Sequence, residues 1–129
     1  METECICRLR KIYKAIAAFE AQVEASLGVN INAMMLLCLL SEKENLSAGE
    51  IADEMGLTRS NASKVIASLE KGGSIRRHIC KEDGRSMRFH LTKQGQELLE
   101  HVHCDSLQLP EELRKVVEYS AFASEFSPF

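Results

Sequence analysis

The stretch Leu46 to Gln94, L-S-A-G-E-I-A-D-E-M-G-L-T-R-S-N-A-S-K-V-I-A-S-L-E-K-G-G-S-I-R-R-H-I-C-K-E-D-G-R-S-M-R-F-H-L-T-K-Q, divides into two short helices, a tight joint and a two-stranded ribbon. Ser47 and Glu50 make an S-x-x-E capping box, so a helix begins at Ala48 and buries Ile51, Ala52 and Met55. Gly56 ends it in a left-handed C-cap, and Thr58 caps the next helix two residues later. In that second helix Ala62, Val65, Ile66 and Leu69 recur at spacings of three and four, which turns Arg59, Ser60, Asn61, Ser63, Lys64 and Ser68 outward. A helix backed by apolar residues and faced with short hydrogen-bonding groups and cations suits a major groove, where base edges need donors and close approach. By itself that face also fits an ordinary solvated helix.

The ribbon shifts the balance. Ile75 to Cys80 and Met87 to Leu91 are short runs joined by the polar turn 81–86, the pattern of an antiparallel hairpin. Between Arg59 and Lys93 nine basic residues stand against three acidic ones, +6 inside a chain whose net charge is -3. That asymmetry is the footprint of a nucleic-acid surface on an otherwise acidic protein. The expected DNA contacts are Thr58, Arg59, Ser60, Asn61, Ser63 and Lys64 on the helix, and Arg76, Arg77, Lys81, Asp83, Arg85 and Arg88 on the ribbon. Asn61 and Ser63 are placed for base edges, Arg59 and Lys64 for phosphates. Asp83, two residues from Arg85 in a tight turn, orients the guanidinium for a minor groove.

In order along the chain, Ile51-Ala52, Gly56-Leu57-Thr58, Ser60 and Ser63, Leu69-Glu70-Lys71, Gly73, Ile75-Arg76-Arg77, Asp83-x-Arg85 and Leu91-Thr92-x-x-Gly95 resemble the MarR family of bacterial transcriptional regulators. Ser74 stands where that family usually carries a hydrophobic residue, and Gly84 where a second wing cation is common. The resemblance implies a homodimer on double-stranded DNA and a small effector bound between the winged domain and the dimer helices.

At 129 residues with few Gly and Pro and no Trp, the chain is expected to be a single, mainly α domain with a small β-hairpin. The winged helix-turn-helix spans about 30–92, and dimerisation helices span about 4–27 and 93–124. Ile6, Leu9, Ile12, Tyr13, Ile16 and Val23 make the first helix amphipathic, with Gly28 closing it. Its apolar stripe exceeds what the winged part needs, so a second copy is the expected cover. Ile31 to Leu40 is apolar almost all round, the pattern of a buried central helix, with Met34, Met35 and Cys38 as core filler. After the ribbon, Thr92 caps a helix through Gln96, Leu98, Leu99 and Val102, and Pro110 opens another carrying Leu113, Val116 and Val117.

The N-terminus lacks a cationic, apolar leader, and the apolar run 33–40 is too short to span a bilayer, so a cytoplasmic protein is expected. Five cysteines without a secretory leader are expected to be reduced thiols. No cofactor is expected. His101, Cys104 and Asp105 share one helix face at i, i+3 and i+4, a spacing that chelates metal, although a solvated face is the plainer account. A thiol- or metal-responsive regulator built on the terminal helices, and a winged-helix protein-interaction module, are the alternative functions. Catalysis is excluded on geometry: the chain has no Gly-rich phosphate loop, and three groups on one helix face cannot converge as nucleophile, base and orienter.

Overall fold

A computed structural model describes residues 2–79, 87–101 and 109–117. The chain divides into two compact units, Met1–Gly28 with Asp105–Phe129, and Val29–Cys104. The second unit contains α2 (Ile31–Glu42), β1 (Leu46–Ser47), α3 (Ala48–Met55), α4 (Arg59–Lys71), β2 (Ile75–Ile79), β3 (Met87–Leu91) and α5 (Lys93–Glu100). The first contains α1 (Thr3–Leu27) and a helical segment over 111–117. Among the described residues no single helix is long and apolar enough to cross a membrane.

Each boundary in the winged unit has a local cause. Asn30 caps α2 by accepting from the Ala33 amide at 2.8 Å. The capping box of α3 is complete: the Glu50 amide donates to Ser47 Oγ at 3.1 Å, and the Ser47 amide donates to the Glu50 carboxylate at 3.2 Å. Gly56 closes α3 at φ 65°, a conformation that costs a residue without a Cβ little. Its amide and that of Leu57 return to the Ala52 carbonyl, so the chain reverses in two residues and α4 starts at once. Thr58 caps α4 through the Asn61 amide at 3.1 Å.

The sheet has three strands in the order β1-β3-β2, all antiparallel, where the sequence reading gave a two-stranded ribbon. Leu46 pairs with Phe89 and Ser47 with Arg88. A two-residue strand that is also the cap of the next helix leaves no alternating pattern to read. The core of the unit is Leu36, Leu37 and Leu40 of α2, Ile51 of α3, the buried back of α4, Ile75 and Phe89.

The α2 helix is not buried all round. Ala33, Met34, Leu36, Leu37 and Leu40 are inside, while Met35 is 46% exposed and Cys38 is also at the surface. Neighbouring elements cover one side of this helix, so Met34 fills core and Met35 and Cys38 do not. Burial and the nearby Glu42 carboxylate both push the Cys38 thiol pKa up, which keeps it a poor nucleophile. Met55, expected in the core, is half-buried beside the fully buried Ile51 and Ala52.

Ser74 is the buried polar residue of the described chain, at 7% exposure. Its backbone explains its place. The Ser74 amide donates to Leu69 O at 2.9 Å to finish α4, and its carbonyl accepts from the Thr92 amide at 3.1 Å. Thr92 caps α5 by accepting from the Gly95 amide at 3.2 Å while its own hydroxyl donates to Gly73 O at 2.6 Å. Gly95 therefore lies against Ser74, and a Cβ built on it would sit 2.1 Å from the Ser74 oxygen. The L-T-x-x-G motif is a joint that locks the start of α5 to the end of α4.

Candidate nucleic-acid interface

α4 has the two faces that its spacing implies. Ala62, Val65, Ile66 and Leu69 are buried, and Thr58, Arg59, Ser60, Asn61, Ser63 and Lys64 are all exposed. Burying that apolar back anchors the helix, and the cap fixes its start, so the six outer residues are presented on a rigid element. Arg59 and Lys64 form no ion pair among the described residues and remain available to an anionic partner.

The ribbon cations fall into two kinds, which sequence alone did not separate. Arg77 is engaged: its Nε donates to Glu70 Oε2 at 2.7 Å and a second guanidinium nitrogen reaches Oε1, a bidentate clasp from β2 to the end of α4. The same guanidinium stands 5.5 Å from the centre of the Phe89 ring. The clasp holds the Glu70 carboxyl below its ordinary pKa and raises that of Arg77. Arg88 is engaged as well, donating to Asn45 O at 2.7 Å and to the Glu50 carboxylate at 3.0 Å. Asn45 holds a left-handed φ of 63°, which Asn tolerates better than most residues, and this aims its carbonyl at β3. The Glu50 carboxyl is lowered first by the Ser47 amide and then by Arg88. Arg76, in contrast, is exposed and makes no ion pair among the described residues.

Two carboxylates thus brace the sheet from both sides, Glu70 from α4 and Glu50 from α3. Sequence reasoning had Glu50 as a cap alone and did not assign Glu70. The signal for Glu70 lay in register: seven residues separate it from Arg77, but the Gly72-Gly73 turn folds β2 back beside α4. The wing residues Lys81, Asp83 and Arg85, and Cys104 and Asp105 of the metal candidate, lie outside the described residues. His101 is exposed at the end of α5.

Two short helices crossing at a Gly joint, the second with a polar outer face, followed by a braced antiparallel sheet, define a winged helix-turn-helix protein. The MarR family profile matches residues 29–87. The HTH-type transcriptional regulator PapX of Escherichia coli is 32% identical over 87 residues, covering 66% of this chain and 53% of PapX. Sco3205, a MarR family transcriptional regulator from Streptomyces coelicolor solved in complex with DNA, is 27% identical with a TM-score of 0.69, covering 97% of this chain and 92% of that one. The transcriptional regulator BldR from Sulfolobus solfataricus shares the fold at a TM-score of 0.71 and 22% identity, covering 99% of this chain and 89% of that one. Over residues 29–87 the chain is similar to the MarR family of transcriptional regulators, and its fold matches theirs. It spans about half the length of the curated relatives it matches.

Proposed function

We propose that this protein is a sequence-specific DNA-binding transcriptional regulator that acts as a homodimer on an inverted-repeat operator. The observation that carries the reading is α4, whose outer residues Arg59, Ser60, Asn61, Ser63 and Lys64, with the cap Thr58, are all exposed and polar or cationic on a buried apolar back. In this reading Asn61 and Ser63 meet base edges, while Arg59, Lys64 and Arg76 meet phosphates. Lys81, Asp83 and Arg85 are proposed as wing contacts on sequence grounds, with Arg85 entering the minor groove. Arg77 and Arg88 act chiefly by holding the wing, since their charges are already met by Glu70 and Glu50. The DNA complex of the related Sco3205 supports the class of ligand.

The dimer is proposed from the first unit. Ile6, Leu9, Tyr13 and Ile16 of α1 remain exposed, Tyr13 at 74%, as do Val116 and Val117 of the segment 111–117. A row of large apolar side chains on terminal helices is the kind of surface that a second copy covers. A small effector is proposed by resemblance to the family. A cytoplasmic location follows from the proposed ligand.

Selection of bound sequences from random duplex DNA, with affinity followed against salt, tests the reading. The expected product is an inverted repeat with half-site centres about one helical turn, ~10 bp, apart. Affinity is expected to fall steeply with salt, because cations on the protein replace counterions on the phosphates. Recovery of random sequences bound without salt dependence would overturn the proposal and favour a winged helix used for protein contact.

A further inference from the structure

His78 on β2 and His90 on β3 meet across the hairpin. The register sets His78 opposite Arg88 and His90 opposite Arg76, so the two imidazoles are diagonal neighbours on one face of the sheet. Their Nδ1 atoms lie 3.1 Å apart, with ring centroids separated by 5.1 Å and planes tilted by 55°. This distance is a hydrogen bond, one ring donating Nδ1–H and the other accepting through its Nδ1 lone pair. The same separation also fits chelation. Two metal–nitrogen bonds of about 2.0–2.1 Å closing on a 3.1 Å gap subtend roughly 100°, between the right angle of a square-planar site and the tetrahedral angle.

The surroundings leave room for the rest of a coordination sphere. Both rings line a cavity of about 520 Å³ together with Ser41, Glu44, Asn45 and Gln96. These side chains make the lining polar, although the Glu44 carboxylate does not converge with the imidazole pair. We propose that His78 and His90 form a two-ligand site for a divalent transition metal that favours imidazole, Zn²⁺, Ni²⁺ or Cu²⁺, completed by water or by an oxygen ligand entering the cavity. Hard cations such as Mg²⁺ and Ca²⁺ prefer all-oxygen shells and are not the fit. On binding, the donor ring changes tautomer, its proton passing through solvent from Nδ1 to Nε2, so both Nδ1 lone pairs face the metal with no net loss of a proton, and a clasp between β2 and β3 made by one hydrogen bond becomes a clasp made by one metal ion.

The site is an open one. Among the described residues no group of three His, Cys, Asp or Glu side chains converges, so the protein supplies fewer ligands than the four of a structural zinc centre. Of the two arginines opposite the pair, Arg88 is met by Glu50, while Arg76 is exposed and adds a screened repulsion. Both features set the site toward exchangeable binding. It is distinct from the candidate group at 101–105.

The test uses the full chain labelled with ¹⁵N and titrated with Zn²⁺, read by long-range proton–nitrogen spectra of the imidazoles. The expected result is that the Nδ1 signals of His78 and His90 move together into the metal-bound range at one equivalent, while the two other histidines stay in place. Movement of the other histidines alone, or metal bound through Nε2, would overturn the site. Calorimetric titration with Ni²⁺ gives a second reading. His78→Gln and His90→Gln, which each keep a hydrogen-bonding group, should each weaken binding by more than the ~10-fold that even an outer partner of a ligand commands. A Cys5→Ser/Cys7→Ser variant should bind as the wild type does. Equal affinity in all of these variants would assign the metal elsewhere and refute the proposal.

Discussion

Replacing Gly95 by Ala should destabilise this protein, against the usual rule for a helical glycine. In an exposed helix interior the change from Gly to Ala stabilises by about 1 kcal/mol, because Ala loses less backbone freedom on folding. Here the new Cβ would meet the Ser74 carbonyl oxygen at 2.1 Å and Leu91 Cδ2 at 3.1 Å, and real Cβ contacts below 3.0 Å essentially do not occur. The obstacle is backbone, so no rotamer change relieves it and α5 must move away by roughly an ångström, an overpacking that costs about 1–3 kcal/mol. That shift also stretches the bond from the Thr92 amide to Ser74 O, now 3.1 Å, whose loss costs about 0.5–1.5 kcal/mol. Against the helix-propensity gain, the net expectation is a loss of about 1–3 kcal/mol, or a melting temperature lower by roughly 5–15 °C for a chain of this size. Gly49→Ala is the internal control. Its Cβ would come no closer than 4.0 Å to Ser47 Oγ, so it should melt at or slightly above the wild-type temperature. Thermal unfolding of both variants under one buffer condition decides the matter: a Gly95→Ala protein as stable as the wild type would refute the locked joint between α4 and α5.

The two braces predict a pH dependence whose sign follows from the lowered carboxyl values of Glu50 and Glu70. Their contribution is complete above the ordinary value of 4.5 and is lost as pH falls from there through the lower folded values, so Glu50→Gln/Glu70→Gln should flatten the acid limb of the melting curve, and an unchanged limb would count against the braces. Arg76→Ala should weaken DNA binding with the melting temperature held, whereas Arg77→Ala should lower the melting temperature, since only the second breaks a clasp; titration and melting of both variants check this. Arg59→Ala and Lys64→Ala should each reduce the salt slope of DNA binding by about one unit while leaving base preference unaltered. Asn61→Ala should change that preference, worth roughly 1–3 kcal/mol at a bidentate contact, as read by competition among operator variants.

What the sequence determined by itself is the part of the fold written in local rules. The capping box at Ser47, the left-handed turn at Gly56 and the cap at Thr58 each involve residues within a few positions, and the structure has all three. The inner and outer faces of α4 follow from helical spacing alone, and so did the choice of Arg59 to Lys64 as the interface row. Other features needed partners far apart in the chain. Pairing of Leu46 with Phe89 makes a third strand that has too few residues to show a period. Which arginines are occupied depends on where Glu70 and Glu50 come to lie, and charge counting treats Arg76, Arg77 and Arg88 alike. The meeting of His78 with His90 is set by a strand register across the hairpin, invisible as spacing along one strand. Met35 and Cys38 reached the surface because hydropathy reports the preference of a side chain, while burial depends on whether another element arrives to cover it. Local hydrogen bonds and periodicity are encoded within a turn or two of chain, and only the packed tertiary structure decides which distant groups share a charge, a proton or a core.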